Sequence, residues 1–273
     1  MSSIFLLISK KKCDIIKYNN LKEAKIELKI KVLDVSFDAV NKKEASAQIL
    51  SAIQNKNKIP FTVVTPNPIM VMNAKKNEEL FSALSSADLS LADGVGIISA
   101  AKRMGTPLPE RVTGIDTAYS VLQKLSEIAG SVYLLGAKPG VAELAAEKLI
   151  DQFPSLNIVG THHGYFDKDE EIISDIKQKS PDLLIVCLGS PRQEIWAHEN
   201  KKKLSGVGAV MCLGGALDVW SGNIKRAPSF FIKLHLEWLW RMLLEPKRMK
   251  ELPKMLKFRI LTGKSRQNQK SFK

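Results

Sequence analysis

The sequence predicts an α/β protein, a Rossmann-like, mostly parallel sheet with helices on both faces, followed by a C-terminal helical, membrane-associating appendage. Three observations carry this expectation. Short apolar runs alternate with helical segments, as βαβ units require. The runs are apolar throughout rather than at every second residue, which is how strands covered on both faces read. The charge is near balance through the body and strongly basic at the end: residues 32–225 hold 20 basic and 22 acidic side chains, residues 226–273 hold 13 and 3, and residues 1–31 hold 8 and 3.

Taken in order, residues 1–29 read as a poorly integrated extension and 30–227 as the α/β domain. Residues 30–35 look like a strand leading to a helix over 41–55. Residues 61–65 form a β-branched strand ending in Thr65-Pro66-Asn67-Pro68, whose two prolines fix an extended turn before a helix running to about Leu84. Residues 89–92 read as the end of a buried strand. Gly94 and Gly96 let the chain turn into a helix over 95–104. Strands over 132–136, 157–160, 182–189 and 208–214 follow, with helices to about Gln152, over 169–179 and after Ser190-Pro191-Arg192-Gln193-Glu194.

Beyond Pro228 the character changes. Residues 229–245 are helical and hold Trp238 and Trp240; Pro246 ends that helix, and residues 247–262 mix basic and apolar side chains, with Pro253 as a break. Met249, Leu252, Leu256 and Ile260 share one helical stripe, an arrangement that suits an anionic membrane surface, a helical cap or a subunit contact. Residues 228–273 are therefore set apart as a basic amphipathic appendage.

Composition excludes several classes. No apolar run approaches the ~20 residues of a membrane span, and the lysines follow the apolar residues 4–8 instead of preceding them as in a secretory signal. Cys13, Cys187 and Cys212 are odd in number and far apart, without a CxxC pair, which suits a reducing cytoplasm.

Ligands of open α/β sheets bind at the carboxyl ends of the strands. Asp93 lies at such a place, as a helix cap or as a base beside a phosphate site. Thr65 and Asn67 lie at another, again as cap or ligand. Asp167-Lys168-Asp169 opens a helix, where acidic residues favour the positive end, and reads as a cap rather than a metal site. His162 and His163 are adjacent and lack the spacing of a zinc set. No metal and no cofactor are expected.

With these residues in view the chain resembles the WecG/TagA/CpsF glycosyltransferases over roughly residues 30–250. The marks are Thr65-Pro66-Asn67-Pro68, Ala92-Asp93-Gly94-Val95-Gly96, Glu110-Arg111-Val112-Thr113-Gly114-Ile115-Asp116 and Gly136-Ala137-Lys138-Pro139-Gly140. Gly164-Tyr165-Phe166, Gly189-Ser190-Pro191-Arg192-Gln193-Glu194, Leu213-Gly214-Gly215-Ala216-Leu217-Asp218, Gly222 and Arg226-Ala227-Pro228 continue them, and Glu237-Trp238-Leu239-Trp240-Arg241 with Glu245-Pro246 closes the series. Each piece alone is common; their order and spacing together are specific.

The resemblance implies inverting transfer of N-acetylmannosamine from its UDP donor to undecaprenyl-diphosphate-linked N-acetylglucosamine, the linkage-unit disaccharide step of wall teichoic acid synthesis. It places the enzyme in the cytoplasm, peripheral on the inner face of the plasma membrane. A relative of the same family could instead use another UDP-sugar, N-acetylmannosaminuronic acid or glucose. The reaction needs a base, an in-line anomeric carbon and positive charge for the departing diphosphate. Asp93 is the candidate base. Arg111 suits bidentate phosphate binding, or else pairs with Glu110 or Asp116. Thr65 and Asn67 are candidates for the sugar, and Gln193 for the sugar or nucleotide. Gly136, Gly140 and Gly189 would let backbone approach the nucleotide. Arg226, Arg241 and Arg248 would contact lipid head groups or the diphosphate, with Glu237, four residues before Arg241, as that arginine's other partner. A homo-oligomer that covers the apolar appendage away from membrane is also expected.

Two other classes compete. A dinucleotide-dependent oxidoreductase lacks support, because no G-x-G-x-x-G with a later acidic residue follows the first strand. A non-enzymatic nucleic-acid-binding protein would use the basic tail, but tryptophans within an amphipathic helix favour a membrane, so no nucleic acid is expected.

Overall fold

The computed structural model describes residues 28–234, 236–244 and 246–270. The expected extension over 1–29 therefore lies, but for its last two residues, outside the described residues. The α/β expectation holds. Six strands form one sheet: β3 (Phe61–Val64), β4 (Leu89–Ser90), β5 (Ser131–Gly136), β6 (Asn157–His162), β7 (Leu183–Cys187) and β8 (Ala209–Cys212). Their order is β4-β3-β8-β7-β5-β6 and every pair is parallel.

Helices cover both faces. On one lie α1 (Lys42–Asn55), α5 (Gly114–Ser126), α6 (Val141–Gln152) and α9 (Ala216–Trp220). On the other lie α2 (Pro68–Ala74), α3 (Glu78–Ser85), α4 (Val95–Arg103), α7 (Asp169–Lys179) and α8 (Arg192–Asn200). Strand pleating divides the work: Leu183, Ile185 and Cys187 of β7 face the first layer, while Leu184 and Val186 face the second. Both sets are buried, so the continuous apolar run in the sequence is a fully covered central strand.

The segment read as one strand over 30–35 is a hairpin. β1 (Lys29–Val32) and β2 (Val35–Asp38) pair antiparallel, and the turn at Leu33, with φ of 56°, closes between Val32 and Val35. The Asp38 carboxylate, buried at the hairpin's end, accepts the backbone N–H of Ser90 at 2.7 Å, giving the short edge strand β4 a bond that no neighbouring strand supplies. The helix expected after Pro68 is two helices, because Asn77 caps a new one through the N–H of Leu80 at 2.7 Å. Helix α5 has no counterpart in the sequence reading.

The strand order reverses direction between β5 and β7: the chain leaves β5 toward β6 and leaves β7 toward β8. Such a reversal opens a crevice at the strands' carboxyl ends. Gly136 ends β5 at that crevice with φ of 138°, and a Cβ there would lie 2.3 Å from the Cys187 carbonyl oxygen. Its small size serves the neighbouring strand, a different demand from the approach to nucleotide the sequence suggested. Gly136→Ala should lower stability by about 2–4 kcal/mol, on the order of 5–10 °C in Tm. Gly140→Ala, at φ of 82° with nothing within 4 Å of the added carbon, should cost about 1–2 kcal/mol. Thermal unfolding of both variants checks the ranking.

The appendage comprises α10 (Ser229–Lys233), α11 (Glu237–Leu244), a 3₁₀ turn (Pro246–Glu251) and α12 (Leu252–Lys270). The single helix expected over 229–245 is thus broken, with the second helix entered through the N–H of Leu236 bonded to the Phe231 carbonyl at 2.7 Å. Pro253 does not break its helix. It sits in the first turn of α12, where its missing N–H costs nothing. Helix α12 buries Phe258 and Thr262 against the α2–α4 layer, and Thr262 accepts from Arg103 at 2.9 Å. Its outer face carries Leu256, 62% exposed, and Ile260, 58% exposed; Met249, Leu243, Leu244, Leu234 and Phe230 elsewhere in the appendage are exposed as well. Among the described residues no helix is long and apolar enough to cross a membrane.

Candidate active site

The loops after β3, β4 and β8 meet because glycines let them. At Gly96 a Cβ would lie 2.5 Å from Pro68 Cγ, so the start of α4 is pressed against the Asn67-Pro68 turn. At Gly114 a Cβ would lie 2.8 Å from Thr65 Cγ2 and 2.9 Å from Leu213 Cδ2, so α5 enters between the ends of β3 and β8. Asp93, Asn67, Thr65 and Arg111 are thereby gathered at one end of the sheet.

The N-cap of α4 is Gly94, so Asp93 stands one residue before the cap, at the end of the β4 loop. The Asp93 carboxylate is 33% exposed, and its Oδ1 lies 3.6 Å from an Arg111 guanidinium nitrogen. The same nitrogen makes a shorter contact with the Glu237 carboxylate of α11. Asn67 is a cap: its Oδ1 accepts from the N–H groups of Ile69 and Met70 at 3.0 and 3.1 Å. That fixes the side chain and leaves its amide nitrogen as a donor toward a ligand. The Thr65 hydroxyl donates to the Cys212 carbonyl at 3.3 Å and keeps its acceptor lone pairs.

Gln193 departs from its expected place at the ligand. It is 3% exposed; its Oε1 accepts the N–H of Gly214 at 2.9 Å and its Nε2 donates to Glu194 at 2.5 Å. With its amide engaged on both sides inside the protein, it braces the loop after β8. Behind it Glu194 is buried, and burial pushes its carboxyl above the usual range.

The crevice between β5 and β7 holds a cavity of about 290 Å³ lined by Lys138, Tyr165, Leu188, Arg192 and Asp218 among others. Gly140 and Gly189, both at positive φ with open space before them, border its loops. Arg192 lies 4.6 Å from the centre of the Phe166 ring and donates to the carbonyls of Gly164 and Phe166, which holds the rim in place. Cys187 at its floor is buried, which pushes its thiol to about 12, so it is no nucleophile at neutral pH. At ~4.8 Å per strand, three strand spacings separate β4 from β7 by ~14 Å. An extended sugar nucleotide can bridge that span.

Arg226 lies at the Asp93 end, on a cavity shared with Lys225, Glu237, Trp240 and Leu244, and donates to Asp116 at 2.5 Å. Partial burial raises the Asp116 carboxyl, but the Thr113 hydroxyl and Arg226 outweigh it and hold the group below its ordinary value. Arg241 and Arg248 fall on α11 and the 3₁₀ turn, but their side chains lie outside the described residues. Asp169 accepts from Asn200 at 3.0 Å in the first turn of α7. Among the described residues no three His, Cys, Asp or Glu side chains are grouped to hold a metal ion.

Sequence reasoning gave no site role to Glu237, Asp218, Lys138 or Tyr165. All four stand inside the motifs quoted above; what was missing was the sheet order that brings them to the two ends of the cleft.

A parallel α/β sheet with a carboxylate and a guanidinium at one end of a strand-end cleft and an open cavity at the switch point defines an α/β enzyme site suited to an anionic ligand. The profile of the Glycosyl transferase WecG/TagA/CpsF family matches residues 30–271, and the chain belongs to that family. It is 39% identical over 203 residues to the N-acetylglucosaminyldiphosphoundecaprenol N-acetyl-beta-D-mannosaminyltransferase of Bacillus spizizenii, covering 73% of this chain and 78% of the relative. It is 33% identical over 215 residues to the protein of the same name from Bacillus subtilis, covering 79% and 84%. The Staphylococcus aureus protein of that name is 32% identical over 248 residues, covering 90% and 96%.

Proposed function

We propose that the chain is an inverting transferase that moves N-acetylmannosamine from UDP-N-acetylmannosamine to N-acetylglucosamine-diphospho-undecaprenol, the linkage-unit step of wall teichoic acid synthesis. The observation that carries the reading is the Asp93 carboxylate: part-exposed at the strand-end cleft and 3.6 Å from Arg111. In this reading the acceptor hydroxyl gives its proton to Asp93 as its oxygen attacks the anomeric carbon. The bond from that carbon to the diphosphate breaks on the opposite face, and UDP leaves with the electron pair toward Arg111. Asn67 and Thr65 orient the sugar. The uridine end lies toward the β5–β7 cavity, where Lys138 and Arg192 favour an anionic ligand.

The acceptor's lipid tail puts the reaction at a membrane. The exposed apolar face of α12, flanked by Lys254, Lys257 and Arg259, fits the inner surface of the plasma membrane, and off the membrane a second copy would cover the same face. Arg226, Arg241 and Arg248 then stand with the appendage near the acceptor's diphosphate.

The test is product analysis with a lipid-diphosphate acceptor and UDP-N-acetylmannosamine, with UDP-N-acetylglucosamine, UDP-glucose and UDP-N-acetylmannosaminuronic acid as rivals. The expected product is the N-acetylmannosaminyl disaccharide with inverted anomeric configuration. Preferential transfer from another donor would overturn the substrate assignment, and no transfer from any of them would overturn the reaction.

A further inference from the structure

We propose that Glu237, on the appendage, is a positioning residue for sugar transfer: it shares the Arg111 guanidinium with Asp93 and so sets how strongly that cation holds the base. The inference rests on Asp93 being the base. Glu237 reaches Arg111 across 126 residues of sequence, and both side chains are less than one-fifth exposed. The structure joins Glu237 to the active-site loop; the side chain of Arg241, four residues on, lies outside the described residues. The Nε of Arg111 is buried without a partner, so the guanidinium is anchored by its carboxylate contacts rather than by a fork of backbone bonds. Helix α11 is itself tied down, by Trp240 Nε1 to the Lys225 carbonyl at 3.4 Å and by the Phe231 and Trp240 rings at 5.3 Å.

The arrangement matters because one cation serves two carboxylates. An arginine devoted to Asp93 would stabilise its ionised form and weaken it as a base. With the closer contact on Glu237, Asp93 feels Arg111 at 3.6 Å, while the guanidinium stays in place for the leaving diphosphate. Among the described residues, Lys225 and Arg226 line the same cavity, and Asp116 is bound to Arg226. Glu110, beside Arg111 in sequence, accepts the Lys42 backbone N–H.

Removing the Glu237 charge gives Arg111 wholly to Asp93. The Asp93 carboxyl then becomes more acidic, so the acid limb of the kcat profile moves to lower pH while the plateau falls. For Glu237→Gln we expect kcat to drop about 2- to 5-fold at neutral pH, with the acid limb lower by about 0.5–1 pH unit and donor KM changed less than about threefold. Glu237→Asp, which keeps the charge, should restore the wild-type limb and part of kcat. The assay uses the full chain with a water-soluble lipid-diphosphate acceptor, so that membrane binding does not enter. An unmoved acid limb with kcat within twofold of wild type overturns the proposal. So does a loss of kcat that Glu237→Asp shares in full while the acid limb stays unmoved in both variants, since that pattern marks a structural contact only. Activity retained in Asp93→Asn would instead remove the base on which the proposal rests, and is read separately.

Discussion

Asp93→Asn is expected to lower kcat by at least about 100-fold, the usual worth of a positioned general base. The substitution keeps size and shape and removes only the ability to take a proton. The start of α4 is set by Gly94 and the Gly96–Pro68 contact, so it should survive the change. Stability should therefore stay within about 1 kcal/mol of wild type. UDP binding should persist or tighten slightly, because a negative charge near the diphosphate has gone. Titration calorimetry with UDP, thermal unfolding and turnover measured on one preparation check the three statements together. Full kcat in the variant would move the search for the base elsewhere.

The second large effect is expected at the membrane. Leu256 and Ile260 project outward from α12 with more than half their surface exposed, while the opposite side of the helix is fixed by Phe258 and Thr262. Replacing both with Ser should leave folding intact and remove about 3 kcal/mol of insertion energy, on the order of 100-fold in partitioning to vesicles. Flotation with phosphatidylglycerol vesicles measures the loss, and turnover of a membrane-embedded acceptor should fall with it. Deleting residues 229–273 should go further, because it also takes Glu237 from Arg111 and uncovers the layer beneath Phe258. Unchanged turnover of the embedded acceptor after that deletion would end the idea that the appendage couples the site to the membrane.

The strands were legible because burial on both faces leaves an unbroken apolar signature, as at Leu183–Cys187. The hairpin at Lys29–Asp38 was not, since a two-residue turn at Leu33-Asp34 carries neither glycine nor proline and merges two strands into one run. Asp93, Arg111, Thr65 and Asn67 were legible as candidates because each follows a strand or joins a turn, and the structure brings them to one end of the sheet. Gln193 sits at an equally suggestive place, one turn after Gly189, yet α8 rotates it inward to Gly214; nothing in a linear pattern tells a loop brace from a ligand contact. Glu237 was visible only as a helical neighbour of Arg241. Its contact with Arg111 depends on how the appendage folds back, a long-range fact with no local trace.

The bond from Asp38 to Ser90 has a consequence for how the protein is made. Strand β4 is a two-residue outer margin of the sheet, the kind of surface on which stray chains add themselves. The hairpin carrying Asp38 lies earlier in the sequence, so it leaves the ribosome about fifty residues ahead of β4. The stopper is already to hand when the margin forms, and the nascent polypeptide has little time in which that side of the sheet invites aggregation.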